Sequence, residues 1–372
     1  MTDPVSHPEP HAPPPAPPPA DPSRQPPPAR RTGPRILIVR PSALGDVART
    51  VPALVSLRQA HPDATIHWLV NAPFADAVCH HPALDGVVAF DRRRLGRVTA
   101  VGAALAFGRQ LRRGGYDLAY DLQGLLRSGL MTFATRARKR VGFANARECG
   151  WLGYTHRYAV DPRPHAVDRM LALLQHDGLA TTDDMRLYVG ADDAAWWDAQ
   201  LAAQDAAGDR YACLAPTAAW RCKCWPIERY TTIARRLLDV VPRVVVLASP
   251  SEAAQVRPLQ LSMKEHEAAG RLLVPRTTVG QAMAILSRAA VVVCNDSAAL
   301  HLAVGLDRPT VAIFGPTDYA RVGPYRRDDD VVTPPHTPHG DARGYRHRHD
   351  QSLIARIDPD TVWHRVRQRL NG

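Results

Sequence analysis

The chain has 372 residues, and 47 basic against 36 acidic side chains give it a formal net charge of +11. At roughly 100–200 residues per domain, this length excludes a single small module and predicts two domains. Because 45% of the residues are hydrophobic, the chain can form a sizeable core, which excludes disorder throughout. No apolar run approaches the ~20 residues of a membrane span, and no apolar signal-peptide core is present. We therefore expect a soluble, cytoplasmic protein, whose six cysteines suit a reducing compartment.

The N-terminal segment, residues 1–34, differs from the rest of the chain. It holds 14 of the 34 prolines, no aromatic residue and equal numbers of basic and acidic side chains. Such a segment buries too little apolar surface to offset the entropy lost on ordering. We predict a disordered, proline-rich tail, with a role as a polyproline ligand as the less favoured alternative.

Short apolar runs alternate with helical patterns from residue 35 onwards. The first series contains five predicted strands: Ile36–Val39, Thr65–Val70, Val87–Phe90, Leu118–Leu122 and Arg140–Phe143. Helical periodicity follows the first of these strands, and another helix is predicted over Val98–Leu111. Such alternation is typical of parallel βαβ units in a doubly wound sheet.

A second series begins near residue 210. Its predicted strands are Tyr211–Pro216, Arg243–Ser249, Leu272–Pro275, Val291–Asp296 and Pro309–Pro316, and its predicted helices include Tyr230–Val240 and Thr278–Arg288. A last helix, Asp360–Leu370, should dock on one of the domains, with the first domain as an option. The acidic segment 177–193 predicts the boundary. We therefore predict an α/β protein with Rossmann-like domains over 35–185 and 186–372, facing a central cleft.

The turn after the first predicted strand, Ser42-Ala43-Leu44-Gly45-Asp46, is the first candidate site. Ligands bind outside the carboxyl ends of the strands in open α/β sheets, so this turn should face the cleft. We expect Gly45 to let a ligand approach the backbone closely and Asp46 to open a helix. An acidic residue in the first turn of a helix also complements the helix dipole, an alternative that needs no catalytic role. The turn lacks the G-x-G-x-x-G pattern of dinucleotide sites.

A second candidate site follows the strand Val291–Asp296. Asp296 and Ser297 should cap the next helix and expose its backbone N–H groups to an anion. His301 lies four positions after Ser297, on the same face of that helix. The pattern predicts a phosphate site, with a capped helix and a packed histidine as the alternative.

A third candidate site lies between Trp220 and Trp225, again after a strand. Lys223 is the cation best placed there to meet a phosphate. The pair Cys222 and Cys224 is a weak metal signal.

The polar region 326–350 also raises the question of a metal site, because it contains His336, His339, His347 and His349. Their irregular spacing and the lack of a nearby carboxylate or cysteine partner favour a surface loop. We predict no metal and no cofactor.

Five blocks, in conserved order along this chain, resemble the bacterial lipopolysaccharide heptosyltransferases of glycosyltransferase family 9. They are Pro41-Ser-Ala-Leu-Gly-Asp-Val, Tyr116-Asp-Leu-Ala-Tyr-Asp-Leu-Gln-Gly-Leu-Leu-Arg-Ser, Lys223-Cys-Trp-Pro, Asn295-Asp-Ser-Ala-Ala-Leu-His-Leu-Ala and Phe314-Gly-Pro-Thr-Asp. The similarity extends from about residue 35 to 325. Asp121-Leu-Gln-Gly and Gly315-Pro-Thr-Asp are most similar to the heptosyltransferase I branch.

The resemblance implies a GT-B fold, an ADP-heptose donor and inverting transfer to the Kdo region of lipid A, at the cytoplasmic side of the inner membrane. It implies that Asp46 is the general base and that Lys223 meets the donor phosphates. Other implied donor contacts are Asp296, Ser297, Ala298, His301 and, at the ribose, Glu252. The implied acceptor side includes Ser42, Gly45 and Gln123.

The chain departs from the family pattern at the donor side. Ala298 replaces the usual glycine, and Ala218 and Ala219 stand where heptosyltransferase I has phosphate-binding hydroxyls. Thr217 is the nearest substitute and is therefore a predicted donor contact. The proline-rich tail is not part of the family pattern.

Residues 91–140 hold twelve basic and three acidic side chains, which account for most of the net charge. We expect Arg92, Arg93, Arg94 and Arg127 to form a basic face for a phosphorylated and carboxylated glycolipid acceptor. The alternative is a solvated surface without a ligand.

Three other functions remain open from the sequence. The same fold could transfer another sugar to a different surface glycan. A basic nucleic-acid-binding protein is disfavoured because no RNP, KH or zinc-finger pattern is present. A catalytically inactive scaffold is disfavoured by the joint presence of Asp46, Lys223, Asp296 and His301.

Overall fold

Two parallel β-sheets organise the chain. The computed structural model describes residues 32–91, 101–206, 208, 210–335 and 349–371, and these residues contain two six-stranded sheets. The first sheet comprises β1 (Arg35–Val39), β2 (Thr65–Asn71), β3 (Gly86–Phe90), β4 (Leu118–Asp121), β5 (Lys139–Phe143) and β6 (His156–Tyr158). The second comprises β7 (Tyr211–Ala215), β8 (Arg243–Val246), β9 (Leu272–Leu273), β10 (Val291–Asn295), β11 (Thr310–Ile313) and β12 (Val331–Val332).

The two sheets have the same strand order. It is β3-β2-β1-β4-β5-β6 in the first sheet and β9-β8-β7-β10-β11-β12 in the second. The described strand pairs are all parallel. The strand order therefore reverses between β1 and β4, and again between β7 and β10. In such sheets a ligand crevice opens where the order reverses, outside the carboxyl ends of these central strands.

Helices connect the strands and cover the sheets. The first half contains α1 (Leu44–Ala48), α2 (Val51–Ala60), α3 (Val101–Arg113), α4 (Leu126–Ala134) and α5 (Ala166–His176). The second half contains α6 (Ala191–Ala202), α7 (Ile227–Leu238), α8 (Ala253–Ser262), α9 (Lys264–Ala268), α10 (Val279–Arg288), α11 (Ala298–Gly305), α12 (Tyr319–Val322) and α13 (Pro359–Asn371). The predicted α/β class with two Rossmann-like halves is confirmed. The boundary between 185 and 186 and the tail over 1–34 stay predictions, and residues 1–31 lie outside the described ranges.

All ten predicted strands form, but two further strands, β6 and β12, are absent from the sequence-based expectation. β6 has three residues and exposes His156 and Arg157, and β12 consists of only two valines, so neither is long enough to stand out as an apolar run. The predicted strand Arg243–Ser249 ends at Val246 because its pairing with β7 stops there. Short edge strands depend on a neighbouring strand rather than on their own pattern.

The last helix packs on the second sheet and not on the first, which corrects the option that it returns to the first domain. Val362 and Val366 are fully buried in the same apolar cluster as strands β10 and β11. Ion pairs join both ends of the helix to the second half. Asp360 of the helix pairs with Arg236 at 2.6 Å, and Arg369 of the helix pairs with Asp330 at 2.7 Å. Its apolar side chains, spaced four residues apart, thus pack against the second sheet.

Candidate active site

A cleft of about 1700 Å³ is lined by both halves of the chain. Its walls include the loops that follow the central strands of each sheet. These loops contribute Asp46 after β1, Gln123 after β4, Lys223 after β7 and Asp296 after β10. The two points at which strand order reverses therefore open into one cleft, and the candidate residues from distant segments meet there.

Asp46 lies at the third position of α1 and faces the cleft. Its Oδ2 accepts a hydrogen bond from the backbone N–H of Ala43 at 3.3 Å. Its Oδ1 pairs with the guanidinium of Arg40 at 3.3 Å and with that of Arg49. The carboxylate thus caps its helix and is also held by two cations at the cleft surface. The helix-capping alternative and a chemical role are therefore compatible.

The two arginines set the ionisation of Asp46. Burial alone would raise the pKa of Asp46, but the charges of Arg40 and Arg49 outweigh it and hold that pKa well below its ordinary value. The carboxylate is therefore ionised at neutral pH, as a general base must be. The same ion pairs make it a weak base, because basicity falls with pKa. Moving either guanidinium away would raise the pKa of Asp46.

The space that we expected Gly45 to leave for a ligand is occupied by His301. A Cβ at position 45 would lie 2.7 Å from Cδ2 of His301 and 3.5 Å from Cα of Ala298. The glycine therefore lets α11 approach α1, which is a contact between the two halves of the chain. The imidazole is 4% exposed and still lines the cleft.

Six residues that line the cleft have a buried side-chain atom without a hydrogen-bond partner among the described residues: Arg40, Arg49, Arg169, Asp296, His301 and Thr317. Two of these atoms belong to uncharged side chains, Nδ1 of His301 and Oγ1 of Thr317. Burial, with a smaller contribution from Arg49, lowers the pKa of His301 well below its ordinary value, so the ring is neutral at neutral pH. A buried polar group without a partner is costly, so these two atoms are well suited to bind a ligand in the cleft.

On the opposite wall, Nζ of Lys223 pairs with Oδ2 of Asp296 at 2.6 Å. The ammonium also lies 5.7 Å from the ring centre of Trp220. Both charged side chains are mostly buried and both line the cleft. The pair holds a cation at the start of α11, where backbone N–H groups also favour an anion.

The capping prediction for α11 is only partly right. Ser297 is the N-cap residue, but its side chain makes no capping hydrogen bond, and Asp296 pairs with Lys223 instead. The N–H groups at the start of the helix are therefore not used by the Ser297 side chain. Ser297 and Ala298 both line the cleft.

Glu252 organises the neighbouring loops. Its Oε2 accepts hydrogen bonds from Oγ1 of Thr217 at 3.1 Å, from Oγ of Ser249 at 2.7 Å and from the backbone N–H of Ser249 at 3.1 Å. All three residues line the cleft. Thr217 was predicted to offer its hydroxyl to phosphate, and in this structure that hydroxyl donates to Glu252.

The turn after β4, which contains the predicted acceptor contact Gln123, depends on a buried acid. Oδ1 of Asp121 accepts from the N–H groups of Gln123 at 2.9 Å and Gly124 at 3.0 Å, and Oδ2 accepts from the hydroxyl of Tyr154 at 2.7 Å. Burial raises the pKa of Asp121, an effect that these hydrogen bonds oppose. Oε1 of Gln123 accepts from the N–H of Ser42 at 3.4 Å, which joins the turns after β1 and β4.

Of the four arginines predicted to form a basic face, the structure describes only Arg127. Arg92, Arg93 and Arg94 lie outside the described residues, as do His336, His339 and His347. Arg127 is exposed on α4 and is not among the residues that line the cleft. His349, Cys222 and Cys224 belong to the described part of the chain, in which no three metal-ligating side chains come together.

Sequence reasoning missed three residues that support the site. Arg40 directly follows β1, and Arg49 stands three positions after Asp46, a spacing typical of ion pairs on a helix. Asn295 is fully buried, and its amide Nδ2 donates to the carbonyl of Pro216 at 2.7 Å while Oδ1 accepts from the N–H of Trp225 at 3.1 Å. The asparagine thus positions the loop that contains Lys223. Two signals marked it in the sequence: its place at the end of an apolar strand and its place at the start of one of the five family-like blocks.

Comparison with known proteins shows the family of this chain. The model of glycosyltransferase family 9 (heptosyltransferase) matches residues 104–351, which is more than half of the chain. The chain belongs to glycosyltransferase family 9.

This glycosyltransferase is 31% identical over 308 residues to lipopolysaccharide heptosyltransferase 1 of Pseudomonas aeruginosa, with 79% of this chain and 82% of that protein covered. Escherichia coli ADP-heptose lipopolysaccharide heptosyltransferase II has a TM-score of 0.74 at 21% identity, covering 91% of this chain and 98% of that one. The E. coli heptosyltransferase WaaC with ADP-2-deoxy-2-fluoro heptose has a TM-score of 0.69 at 24% identity, covering 90% and 99%. The GT-B fold that the resemblance implied is confirmed.

Proposed function

We propose that this glycosyltransferase moves heptose from ADP-L-glycero-D-manno-heptose to the Kdo region of lipid A, with inversion at the anomeric carbon. The main observation is that Asp46 of the first half and the Lys223–Asp296 pair of the second line one cleft. Inverting transfer needs a base at the acceptor hydroxyl and positive charge at the leaving diphosphate. The relative named as a lipopolysaccharide heptosyltransferase supports this class of acceptor, and the E. coli structures named for ADP-heptose and its analogue support the donor.

In this reaction Asp46 takes the proton of the acceptor hydroxyl. The acceptor oxygen forms the new bond to the anomeric carbon, and the bond from that carbon to the diphosphate oxygen breaks on the opposite face. ADP leaves with the electron pair of that bond. Lys223 and the N–H groups at Ser297 and Ala298 offset the charge that gathers on the diphosphate.

The acceptor itself strengthens the base. Its carboxylate and phosphate groups are anions that compete with Asp46 for the guanidinium groups of Arg40 and Arg49. When an acceptor anion draws one guanidinium away, the pKa of Asp46 rises toward its ordinary value and the carboxylate becomes a better proton acceptor. Proton removal is thereby linked to the presence of the acceptor.

On the donor side, Glu252 is placed to meet the ribose, since its Oε2 is already fixed by Thr217 and Ser249. The hydroxyl toward the phosphates comes from Thr317, whose Oγ1 has no hydrogen-bond partner among the described residues. This assignment replaces the hydroxyls absent at Ala218 and Ala219. His301 and Asp296 flank the sugar, as the resemblance implies.

The acceptor in this proposal is a glycolipid, so the enzyme works at the cytoplasmic face of the inner membrane. No helix in the described ranges is long and apolar enough to cross a bilayer. Attachment to that face is therefore peripheral in this proposal. The arginines predicted at the acceptor side, Arg92, Arg93, Arg94 and Arg127, would meet its anionic groups.

One experiment tests both substrates. The purified protein is incubated with a panel of nucleotide sugars and Kdo-lipid A, and the products are identified by mass spectrometry. We expect a single added heptose, from ADP-heptose only. Product formed from another nucleotide sugar would replace the donor assignment, and the absence of any product would contradict the function.

Asp46→Ala serves as the matched control in the same assay. We expect this variant to lose transfer while it retains ADP-heptose binding in calorimetry. Near-normal turnover by Asp46→Ala would remove Asp46 from the role of base.

A further inference from the structure

The outer surface of the first half exposes an unusual set of large apolar side chains. Among the described residues, eight large apolar side chains are markedly exposed, and six of them belong to α3, to α4 and to the adjacent 3-10 turn Gly150–Gly153. Their exposed fractions range from 40% to 69%. We name this surface the α3–α4 face, and its apolar members are Val101, Leu105, Leu126, Leu130, Phe133 and Leu152.

These residues form one surface because their elements touch. Helices α3 and α4 pack against each other through Phe107, Leu111 and Met131, on the side opposite to the exposed residues. The turn that contains Leu152 lies against the backbone of α4, where a Cβ on Gly129 would be 2.2 Å from the carbonyl oxygen of Gly150. The exposed apolar side chains therefore belong to three elements that pack against one another, rather than to separate parts of the surface.

The first part of α3 is unusual for an exposed helix. Residues 101–108 read Val-Gly-Ala-Ala-Leu-Ala-Phe-Gly and contain no polar side chain, although residues 101–106 are all exposed. A surface helix ordinarily presents polar residues to water. The first turns of α3 are thus suited to an apolar environment that the described residues do not supply.

Positive charge surrounds the α3–α4 face. Between residues 101 and 147 the chain has nine basic residues and only two acidic ones. Of these acids, Asp121 is fully buried, and Asp117 accepts a hydrogen bond from the N–H of Arg35. The guanidinium of Arg136 lies 4.4 Å from the ring centre of Phe133, and that of Arg157 lies 4.7 Å from the ring centre of Trp151.

We propose that the α3–α4 face docks the enzyme on an anionic phospholipid surface. Apolar side chains that enter the interfacial region, ringed by arginines that meet lipid phosphates, are the two components of peripheral membrane binding. Charge complementarity selects this partner, since basic residues far outnumber the two exposed acids nearby, Asp117 and Glu148, and a net positive rim matches a continuous negative surface. The inference rests on the proposed function in that the acceptor is a glycolipid.

The position of the face relative to the cleft fits this role. Helix α4 begins directly after the turn of Gln123 and Gly124, which lines the cleft. Leu126 and Arg127, in the first turn of α4, are exposed next to that cleft edge. A lipid surface at the α3–α4 face would therefore lie beside the acceptor entrance, so that the sugar head of a glycolipid reaches Asp46 while its acyl chains stay in the bilayer.

The test measures vesicle binding by sedimentation, which requires no catalysis. Wild-type protein is mixed with phosphatidylglycerol–phosphatidylcholine vesicles and with pure phosphatidylcholine vesicles. The variant is Leu105→Ser/Leu130→Ser/Leu152→Ser, and the matched control is Leu261→Ser, because Leu261 is 61% exposed on α8 of the second half. Thermal melting verifies that each variant is folded.

We expect wild-type protein and Leu261→Ser to bind the anionic vesicles, with binding that weakens as salt rises. The triple variant should bind them about tenfold more weakly, because most of the apolar insertion is lost. Equal binding by the triple variant and wild type would overturn the proposal. So would a failure of wild-type protein to bind anionic vesicles, or self-association that the triple variant lacks, which would assign the face to a second copy of the chain.

Activity assays separate this proposal from the proposed function. With a deacylated, water-soluble Kdo acceptor, the triple variant should transfer heptose as fast as wild type. With the same acceptor embedded in anionic vesicles, it should be about tenfold slower, in proportion to its weaker binding. Equal loss with both acceptors would overturn the docking role. Vesicle binding without any heptose transfer would contradict the function and leave the docking surface intact.

Discussion

Gly45 and His301 are in contact across the two halves of the chain. The imidazole lies so close to the backbone of α1 that a Cβ at position 45 would be 2.7 Å from its Cδ2 atom. Asp46 follows Gly45 directly, and the helix that contains His301 begins beside Asp296. One close packing contact therefore sets the separation between the carboxylate of Asp46 and the ion pair of Lys223 with Asp296.

We expect Gly45→Ala to slow transfer by about tenfold or more, because the added methyl group displaces α11 and with it the donor site. The double variant Gly45→Ala/His301→Ala should recover part of the lost thermal stability, since the removed ring makes room for the methyl group. The measurements are kcat and Tm for the single and double variants.

Gly102→Ala is the matched control for this prediction. Gly102 also lies in a helix, and a Cβ there meets nothing within 4 Å. We expect this substitution to stabilise the protein by about 0.5–1 kcal/mol through helix propensity. A Gly45→Ala variant that behaves like Gly102→Ala would show that α11 does not press on α1.

Arg49→Gln tests the electrostatic control of the base. Removal of this guanidinium should raise the pKa of Asp46, because Arg49 and Arg40 together hold it low. The base must be deprotonated to act, so the acid limb of the kcat/KM profile should move to higher pH. Arg49→Lys, which keeps the charge, should leave the limb near its wild-type position. Identical kcat/KM–pH profiles for wild type, Arg49→Gln and Arg49→Lys would show that Arg49 does not control the ionisation of Asp46.

Lys223→Ala should weaken ADP-heptose binding and also destabilise the fold. The mostly buried Asp296 loses its partner, and an uncompensated charge of this kind costs about 3 kcal/mol. The double variant Lys223→Met/Asp296→Asn should be more stable than the single variant but should still bind the donor weakly. Calorimetry with ADP-heptose and denaturant unfolding separate the two effects. An unchanged donor affinity in Lys223→Ala would refute the phosphate role.

Thr317→Val tests whether the free hydroxyl at the cleft serves the donor. The substitution keeps the shape of the side chain and removes Oγ1, so we expect weaker donor binding by about tenfold with little change in Tm. Thr317→Ser should bind the donor as wild type does. Thr217→Val should differ from both, since that hydroxyl supports Glu252 and its loss should loosen the loop. Equal donor affinity in Thr317→Val and wild type would exclude this contact.

Acid should destabilise the protein in part through His81. Burial lowers the pKa of His81 to about 4, whereas the unfolded chain takes up this proton near the ordinary value of about 6.5. Stability is therefore complete above pH 6.5 and falls as the pH drops from 6.5 toward 4, by at most ~1.4 kcal/mol per pH unit for this group. His81→Asn, which can still accept from the N–H of Ala83, should lose less Tm between pH 7 and pH 5. An identical loss would assign the effect to other groups.

Much of the fold and part of the site follow from local pattern. Ile36–Val39 and Val291–Cys294 are continuous apolar runs, which a strand buried on both faces requires, and they are predicted correctly. Asp46 lies in the turn after the first run and Asp296 lies two residues after the second, so their places beyond the carboxyl ends of strands were also predictable. The edge strands β6 and β12 were not predicted, because their pairing depends on a neighbour rather than on their own residues.

The sequence alone determined the fold class, the family resemblance and the strand-end positions of the candidate residues, because these depend on local hydrophobic pattern and short motifs. Only the tertiary structure decided which side chains meet. In the tertiary structure Gly45 contacts His301, and Asp296 pairs with Lys223 rather than capping a helix. Two arginines pair with Asp46. The tertiary structure also gathered the exposed leucines of α3 and α4 into one face. Contacts between segments far apart in the chain depend on how the two sheets pack, and no local pattern encodes that.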